Sequence, residues 1–203
     1  MTGRELNRLA AGAATRSRRA AGTIADAAAT AGLLDVAYHF AESPFGALLV
    51  AVTPRGVVTI AYPGYEVEAE LDRLARAVSP RVLRSASATE EARRELDEYF
   101  SGTRREFAVG VDLRLVRGFT RRVLEQTARI PYGDTSSYRE VAKGAGSPRA
   151  MRAVGNALGS NPVPIVVPCH RVLHSSGGLG GYTGGLDRKV ALLRLEGALA
   201  APD

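Results

Sequence analysis

The sequence predicts an α/β (α+β) chain in two parts, a strand-led first half and a helical second half. Three observations carry this expectation. Residues 36–62, "VAYHFAESPFGALLVAVTPRGVVTIAY", fall into short apolar runs broken at Ser43-Pro44 and Pro54-Arg55-Gly56, the pattern of strands joined by turns. Two segments of helical periodicity follow, at 65–77 and 89–100. Beyond about residue 115 the chain turns to short helices, glycine-containing turns and a basic excess. The expected parts are therefore 35–115 and 116–203, preceded by an Ala/Arg-rich extension over 1–34.

Each element has its own signal. In the extension, Arg4, Arg8, Arg16, Arg18 and Arg19 interrupt the alanines, so no apolar secretory core forms, and Gly12 and Gly22 weaken any helix. Val67, Leu71, Leu74 and Val78 share one face of the 65–77 helix. Thr89 is placed to cap the 89–100 helix, Glu90 and Glu91 suit its dipole, and Gly102 ends it. A strand is expected at 107–113. Phe119, Val123 and Leu124 mark a helix over 117–129, stopped by "IPYGD". Ser136 or Ser137 can cap a helix running to about Lys143, and Gly144-Ala145-Gly146 supplies a turn. Ser147 with Pro148 then reads as a cap and first helical position, for a helix to about Leu158 striped by Met151, Val154 and Leu158. Two short helices across such a turn describe a helix-turn-helix, whose second helix meets DNA; a helical hairpin with no such role fits the same pattern. A final helix lies in "LDRKVALLRLEG".

At 203 residues, 45% apolar and 24% charged, the composition is that of a soluble globular chain. One cysteine, Cys169, cannot form an internal disulfide, and no run approaches the roughly 20 apolar residues of a membrane span. A cytoplasmic protein is expected. The net charge of +6 is unevenly placed: +3 over 1–34, −3 over 35–116, +7 over 117–189 and −1 over the remainder. The positive excess thus surrounds the cysteine, where it would concentrate a polyanion such as DNA; a solvated arginine-rich surface would look the same. On the second helix of the pair, Gly155, Ala157, Gly159 and Ser160 are small beside Arg149 and Arg152. A smooth helix lets a groove wall come close, and an isolated arginine can enter a base stack.

Cys169 sits between Pro168 and His170. A free cysteine is only a few per cent thiolate at neutral pH, so a nucleophilic thiol needs a base or positive surroundings, and an orienting group behind the base. His170 is adjacent and Glu196 lies in the last helix. Neighbouring side chains point apart in a strand, so their cooperation requires a turn or helix start at 168–170, whose N–H groups would also favour the thiolate. Most lone cysteines, by contrast, are buried and inert.

The segments "IPYGDTSSYREVA", "RAVGNAL", "NPVPIVVPCHRV" and "GGYTGGLDRKVALLRLEG" occur in this order with tight spacing. Together they resemble the O6-alkylguanine-DNA alkyltransferases, closely over about 117–197 and more loosely at "ESPFGALLVA". The resemblance implies a ribonuclease H-like α/β N-terminal domain and a C-terminal helical domain with the helix-turn-helix. It implies direct-reversal repair, in which an alkyl group passes irreversibly from guanine O6, and in some cases thymine O4, to Cys169, once per molecule and after base flipping. His170, acting through a water and oriented by Glu196, would take the thiol proton. Tyr138 would donate toward guanine N3, and Asn161 would tie the helix-turn-helix to the active segment. Arg152 would fill the stack, with Ser147, Arg149, Ala153 and Gly155 completing a sequence-independent minor-groove surface. Pro164, Val172, Tyr182, Thr183 and Gly184 would form the substrate pocket with Tyr138; backbone carbonyls of Cys169 and Val172 would read the guanine 2-amino group. Thr183 stands where many relatives have serine.

The expected partner is double-stranded DNA carrying alkylated guanine, bound by a monomer, with no cofactor and no membrane. One cysteine and an isolated His39 leave no basis for the zinc site of some relatives, and His39 and His174 are read as non-catalytic. A non-catalytic sensor of alkylated DNA is a second reading, but lesion-sensing relatives lack the cysteine. A cysteine hydrolase is a third, and it leaves the helix-turn-helix unexplained.

Overall fold

The computed structural model describes Thr23, Ala27, Ala28 and residues 31–64 and 66–200; the expectation for the N-terminal extension therefore falls largely outside the described residues. Three strands, β1 (Val36–Ala41), β2 (Leu48–Thr53) and β3 (Gly56–Ala61), form an antiparallel meander at the predicted turns. Helix α1 (Val67–Ala77) leads to a short strand β4 (Val82–Arg84), which pairs parallel to β1 and gives the order β3-β2-β1-β4. Sequence reading missed β4. Only its first residue is even half-buried, so no apolar run announces it.

Helix α2 (Glu90–Phe100) covers one face of the sheet and α1 the other. Val36, Ala51 and Val58 pack with Leu74 of α1, whereas Leu48, Val50 and Ile60 join Leu96 and Tyr99 of α2. Val52 pairs with Val57 but Ala51 pairs with Thr59, so Val58 is an extra residue, a bulge that re-aims the end of β3. Thr59 thereby faces α1, where Arg73 bonds its hydroxyl at 3.1 Å.

The strand expected at 107–113 does not form. Glu95 accepts the N–H groups of Ala108 and Val109, which removes them from any ladder. The segment instead touches β3 through one isolated bridge, Val57 to Val111, and ends in a 3₁₀ turn at Leu113–Leu115. At that contact Gly56, at φ +126°, lies so close that an added Cβ would stand 2.1 Å from the Gly110 carbonyl oxygen. Only glycine fits.

The second half comprises α3 (Gly118–Thr127), β5 (Ser136–Ser137), α4 (Tyr138–Gly144), α5 (Met151–Gly159), β6 (Val172–Leu173) and α6 (Leu186–Leu195). Ser137 and Glu140 form a reciprocal capping box at the start of α4. Two expected caps are corrected. Thr89 precedes α2 but its hydroxyl donates to the Ser85 carbonyl and caps nothing. Ser147 does not cap α5: its N–H closes α4 on the Ala142 carbonyl, with Gly146 at φ +77°, and its carbonyl opens a turn to Ala150, the residue that precedes the helix. The helix pair is as expected, with the second member starting later.

One core runs through both halves, joining Leu48, Leu96 and Tyr99 to Val123, Val154, Val172 and Leu192. The free edge of β3 is covered, because Ile60 donates its N–H to the Pro162 carbonyl at 2.9 Å and so binds the sheet to the segment before Cys169.

Candidate active site

Pro168 leads into a 3₁₀ turn at Cys169–Arg171, the local geometry that the adjacency of Cys169 and His170 demanded. The turn sends the three side chains to different places. Cys169, 6% exposed, faces a cavity of about 560 Å³. His170 and Arg171 point inward to Glu196, at the C-terminal cap of α6.

Glu196 accepts four hydrogen bonds. His170 Nε2 (2.9 Å), Arg171 Nη2 (2.9 Å) and the Tyr99 hydroxyl (2.6 Å) meet at Oε1, and Arg171 Nε reaches Oε2 at 2.8 Å. Burial alone would push this carboxyl up; the donors outweigh it and hold its pKa at about 2. Since the carboxylate can only accept, His170 carries its proton on Nε2. Burial holds the imidazole below its usual pKa despite the carboxylate. Its Nδ1, buried and without a partner among the described residues, is then a free acceptor.

The thiol itself is bonded by Asn161. The amide nitrogen reaches Sγ at 3.2 Å and the Val167 carbonyl at 2.9 Å, while the amide oxygen accepts from the Val163 N–H at 3.0 Å. One side chain thus ties the end of α5 to both arms of the 161–169 loop. Within that loop Ile165 is fully buried at φ 76°, a conformation β-branched residues rarely adopt, so the surrounding packing imposes it. Burial pushes the thiol pKa up, opposed by the Asn161 bond and the charge of Lys189. Burial thus favours the neutral thiol over the thiolate. The first turn's N–H groups do not offset the loss of solvent.

Tyr138 stands beside this turn because β5 pairs parallel with β6, aligning Ser136 with Val172 and Ser137 with Leu173. It lines the same cavity as Cys169, together with Arg152, Gly155, Tyr182 and Thr183. Burial and the nearby Cys169 raise the Tyr138 pKa. Arg152 is exposed and has no hydrogen bond or ion pair among the described residues, while Thr183 donates to the Gly159 carbonyl at 2.8 Å, pinning the 181–185 loop to α5. Pro164 and Gly184 border the thiol from another side, in a second cavity. Arg149 and Ala153 are exposed, Ser147 is half-buried in the turn between the helices, and none of the three lines either cavity. Val172 is buried, and its carbonyl accepts from Lys189 Nζ at 2.7 Å. His174, read as non-catalytic, lines the first cavity with its ring 5.0 Å from that of Tyr138; His39 lies in β1.

Sequence reasoning missed three participants. Lys189 is fully buried, bonded to the carbonyls of Val172, Leu179 and Gly181, and burial lowers its pKa to about 8. The signal was available, since Lys189, Leu192, Leu193 and Glu196 repeat at helical spacing. Tyr62 and Tyr99 come from the first half; Tyr62 shares a hydrogen bond of 2.7 Å with the Tyr182 hydroxyl.

The DNA-binding domain profile of the 6-O-methylguanine DNA methyltransferases matches residues 118–198, and their ribonuclease-like domain profile matches 36–113. A methylated-DNA–protein-cysteine methyltransferase of Mycolicibacterium paratuberculosis is 44% identical over 161 residues, which span 79% of this chain and 92% of that protein. The chain belongs to this methyltransferase family. The crystal structure of the Mycobacterium tuberculosis O6-methylguanine methyltransferase shares 39% identity and a TM-score of 0.70, covering 83% of this chain and 96% of that one. A structure of the same organism's protein in complex with DNA, 38% identical, covers 80% and 93% at a TM-score of 0.69. The fold of the family, a ribonuclease-like domain followed by a DNA-binding helical domain, is therefore the fold of this methyltransferase, and DNA alkyl repair with cysteine as acceptor is its activity. Among the described residues no helix is long and apolar enough to cross a membrane.

Proposed function

We propose that the protein removes alkyl groups from guanine O6 in duplex DNA by one irreversible transfer to Cys169, with the nucleotide swung out of the helix into the 560 Å³ cavity. The observation that carries this reading is Cys169 at the cavity wall followed in the same turn by His170, whose ring Glu196 fixes and whose buried Nδ1 has no partner among the described residues. A water at Nδ1 takes the thiol proton as sulfur attacks the alkyl carbon. The S–C bond forms as the C–O6 bond breaks, and Tyr138 donates toward N3 so that the departing purine is a better leaving group. Net, the thiol proton ends on guanine. Because burial favours the neutral thiol, ionisation is coupled to substrate entry, which protects a lone cysteine from unproductive chemistry between lesions.

The target atom cannot be reached inside a stacked duplex, and unstacking costs a few kcal/mol, least where pairing is already damaged. Arg152, exposed and uncommitted at the cavity wall, is suited to fill the vacated stack from the minor groove, and Ser147, Arg149 and Ala153 to follow the backbone. The monomer suffices, since every group in the scheme comes from one chain. A thioether offers no way back, so each molecule acts once, in the cytoplasmic compartment where a free thiol persists. Thymine O4 presents the same leaving-atom chemistry in a smaller ring and is included as a slower substrate.

The test is a duplex carrying labelled O6-methylguanine, followed by digestion and mass analysis. One methyl on the Cys169 peptide, saturating at one per protein, is expected. Continued turnover, or binding without modification in the unaltered protein, would overturn the proposal.

A further inference from the structure

The strand pairing that carries Tyr138 to the cavity carries one more side chain with it. In the parallel ladder Ser136 aligns with Val172 and Ser137 with Leu173, so the next positions along are Tyr138 and His174. Their rings meet just past the end of the ladder, with centroids 5.0 Å apart and planes tilted by 39°. Both residues line the 560 Å³ cavity beside Cys169. We propose that His174 is a positioning residue for Tyr138, its imidazole ring fixing the phenol in the direction from which the hydroxyl reaches guanine N3.

The phenol needs such a support. Its two edges face glycines: a Cβ built on Gly155 would lie 3.9 Å from Cε1, and one on Gly180 would lie 2.9 Å from Cε2 and 2.5 Å from the hydroxyl. Neither glycine has a side chain to stop the ring from turning, and Tyr138 is only half-buried at the wall of the space the purine would enter. Among the described residues His174 is the one ring in contact with it. The imidazole is held in turn by its own backbone. His174 donates its N–H to the Gly178 carbonyl at 2.8 Å and accepts the Gly177 N–H at 2.9 Å, closing a tight turn directly after β6.

The inference rests on the proposed donation from Tyr138 to N3. His174 touches no reacting atom in that scheme and acts through the phenol. Two rings at this spacing attract each other beyond the area they bury, so deleting one frees the other. A freed phenol spends part of its time turned away from N3, and the departing purine then leaves without its proton.

The experiment reads single-turnover transfer to Cys169 by intact mass. The duplexes carry O6-methylguanine or its 3-deaza analogue, in which a C–H replaces N3 and leaves Tyr138 nothing to protonate. His174→Ala is expected to slow transfer from O6-methylguanine by about three- to tenfold at saturating protein, with the half-saturating concentration unchanged. On the 3-deaza duplex, and in a Tyr138→Phe background, the same substitution is expected to change the rate by less than about twofold. His174→Phe keeps a ring without imidazole nitrogens and is expected to return the rate to within about twofold of native. His174 is exposed, so none of these variants disturbs the core. An equal loss on both substrates, a change in half-saturating concentration in place of rate, no loss with alanine, or a phenylalanine variant as slow as alanine would each overturn the inference. Failure of the underlying reading is distinct, and takes the inference with it: the unaltered protein would transfer from both duplexes alike, or would carry no methyl on Cys169.

Discussion

Replacing Glu196 by glutamine tests the electrostatic centre of the site through stability rather than activity. In the folded protein the carboxyl has a pKa of about 2 against an ordinary 4.5. Because the folded value lies below the unfolded one, the contribution is complete above about pH 4.5 and is lost as pH falls through about 2. At 1.36 kcal/mol per pKa unit the contribution is about 3 kcal/mol at neutral pH and falls to under half of that by about pH 3. The Glu196→Gln substitution would also leave the Arg171 guanidinium, 7% exposed, without a countercharge, a loss of about 3–5 kcal/mol for a broken buried pair. Urea unfolding of both proteins at about pH 7 and about pH 3 reads the difference directly. The two stabilities should lie several kcal/mol apart near neutrality and converge in acid. Parallel curves at both pH values would refute the claim that Glu196 is ionised and held by its four donors.

Three further outcomes follow from the same geometry. Tyr99→Phe removes one donor from Glu196 Oε1 but leaves two, so it should destabilise by only about 1–2 kcal/mol. With its charge less dispersed, the carboxylate should favour the protonated imidazole, moving the acid limb of the pH–rate profile for transfer to higher pH; an unmoved limb would separate Tyr99 from the relay. Asn161→Ala leaves the Val163 N–H without its acceptor and Sγ without its donor, at about 1–3 kcal/mol of stability, and thiol titration by ultraviolet absorbance should show the Cys169 pKa rising further. Arg152→Ala should slow transfer from duplex by about tenfold or more, the scale of an unstacking cost of a few kcal/mol, yet scarcely affect the free base. Equal losses on both substrates would remove its role as stack filler.

The meander, the helix pair and the last helix were legible because each is announced locally, by turn residues, caps or a repeating apolar face. The motifs around Cys169 likewise singled out Asn161, which bonds Sγ, and His170 and Glu196, which bond each other across a 3₁₀ turn that Pro168 and the adjacency itself foreshadowed. What could not be read is what depends on distant chain segments. The segment 107–113 has strand-like residues, but Glu95, more than ten positions away, takes two of its N–H groups. Tyr62 and Tyr99 sit on ordinary apolar stripes, and only the packing of one half on the other reveals that their hydroxyls end at Tyr182 and Glu196. The protonation of the thiol is equally non-local, being set by the depth at which it is buried.

The glycine contact between positions 56 and 110 has a consequence for anyone surveying substitutions across this protein. Neither glycine lines a cavity beside the sulfur, yet a single added methyl would pry apart the edge strand and the passage that leads into the helical half. The same edge, four residues on, grips Pro162. Position 56 should therefore score in a repair screen as though it belonged to the chemistry, a false positive for function whose true meaning is a seam drawn too tight to admit a side chain.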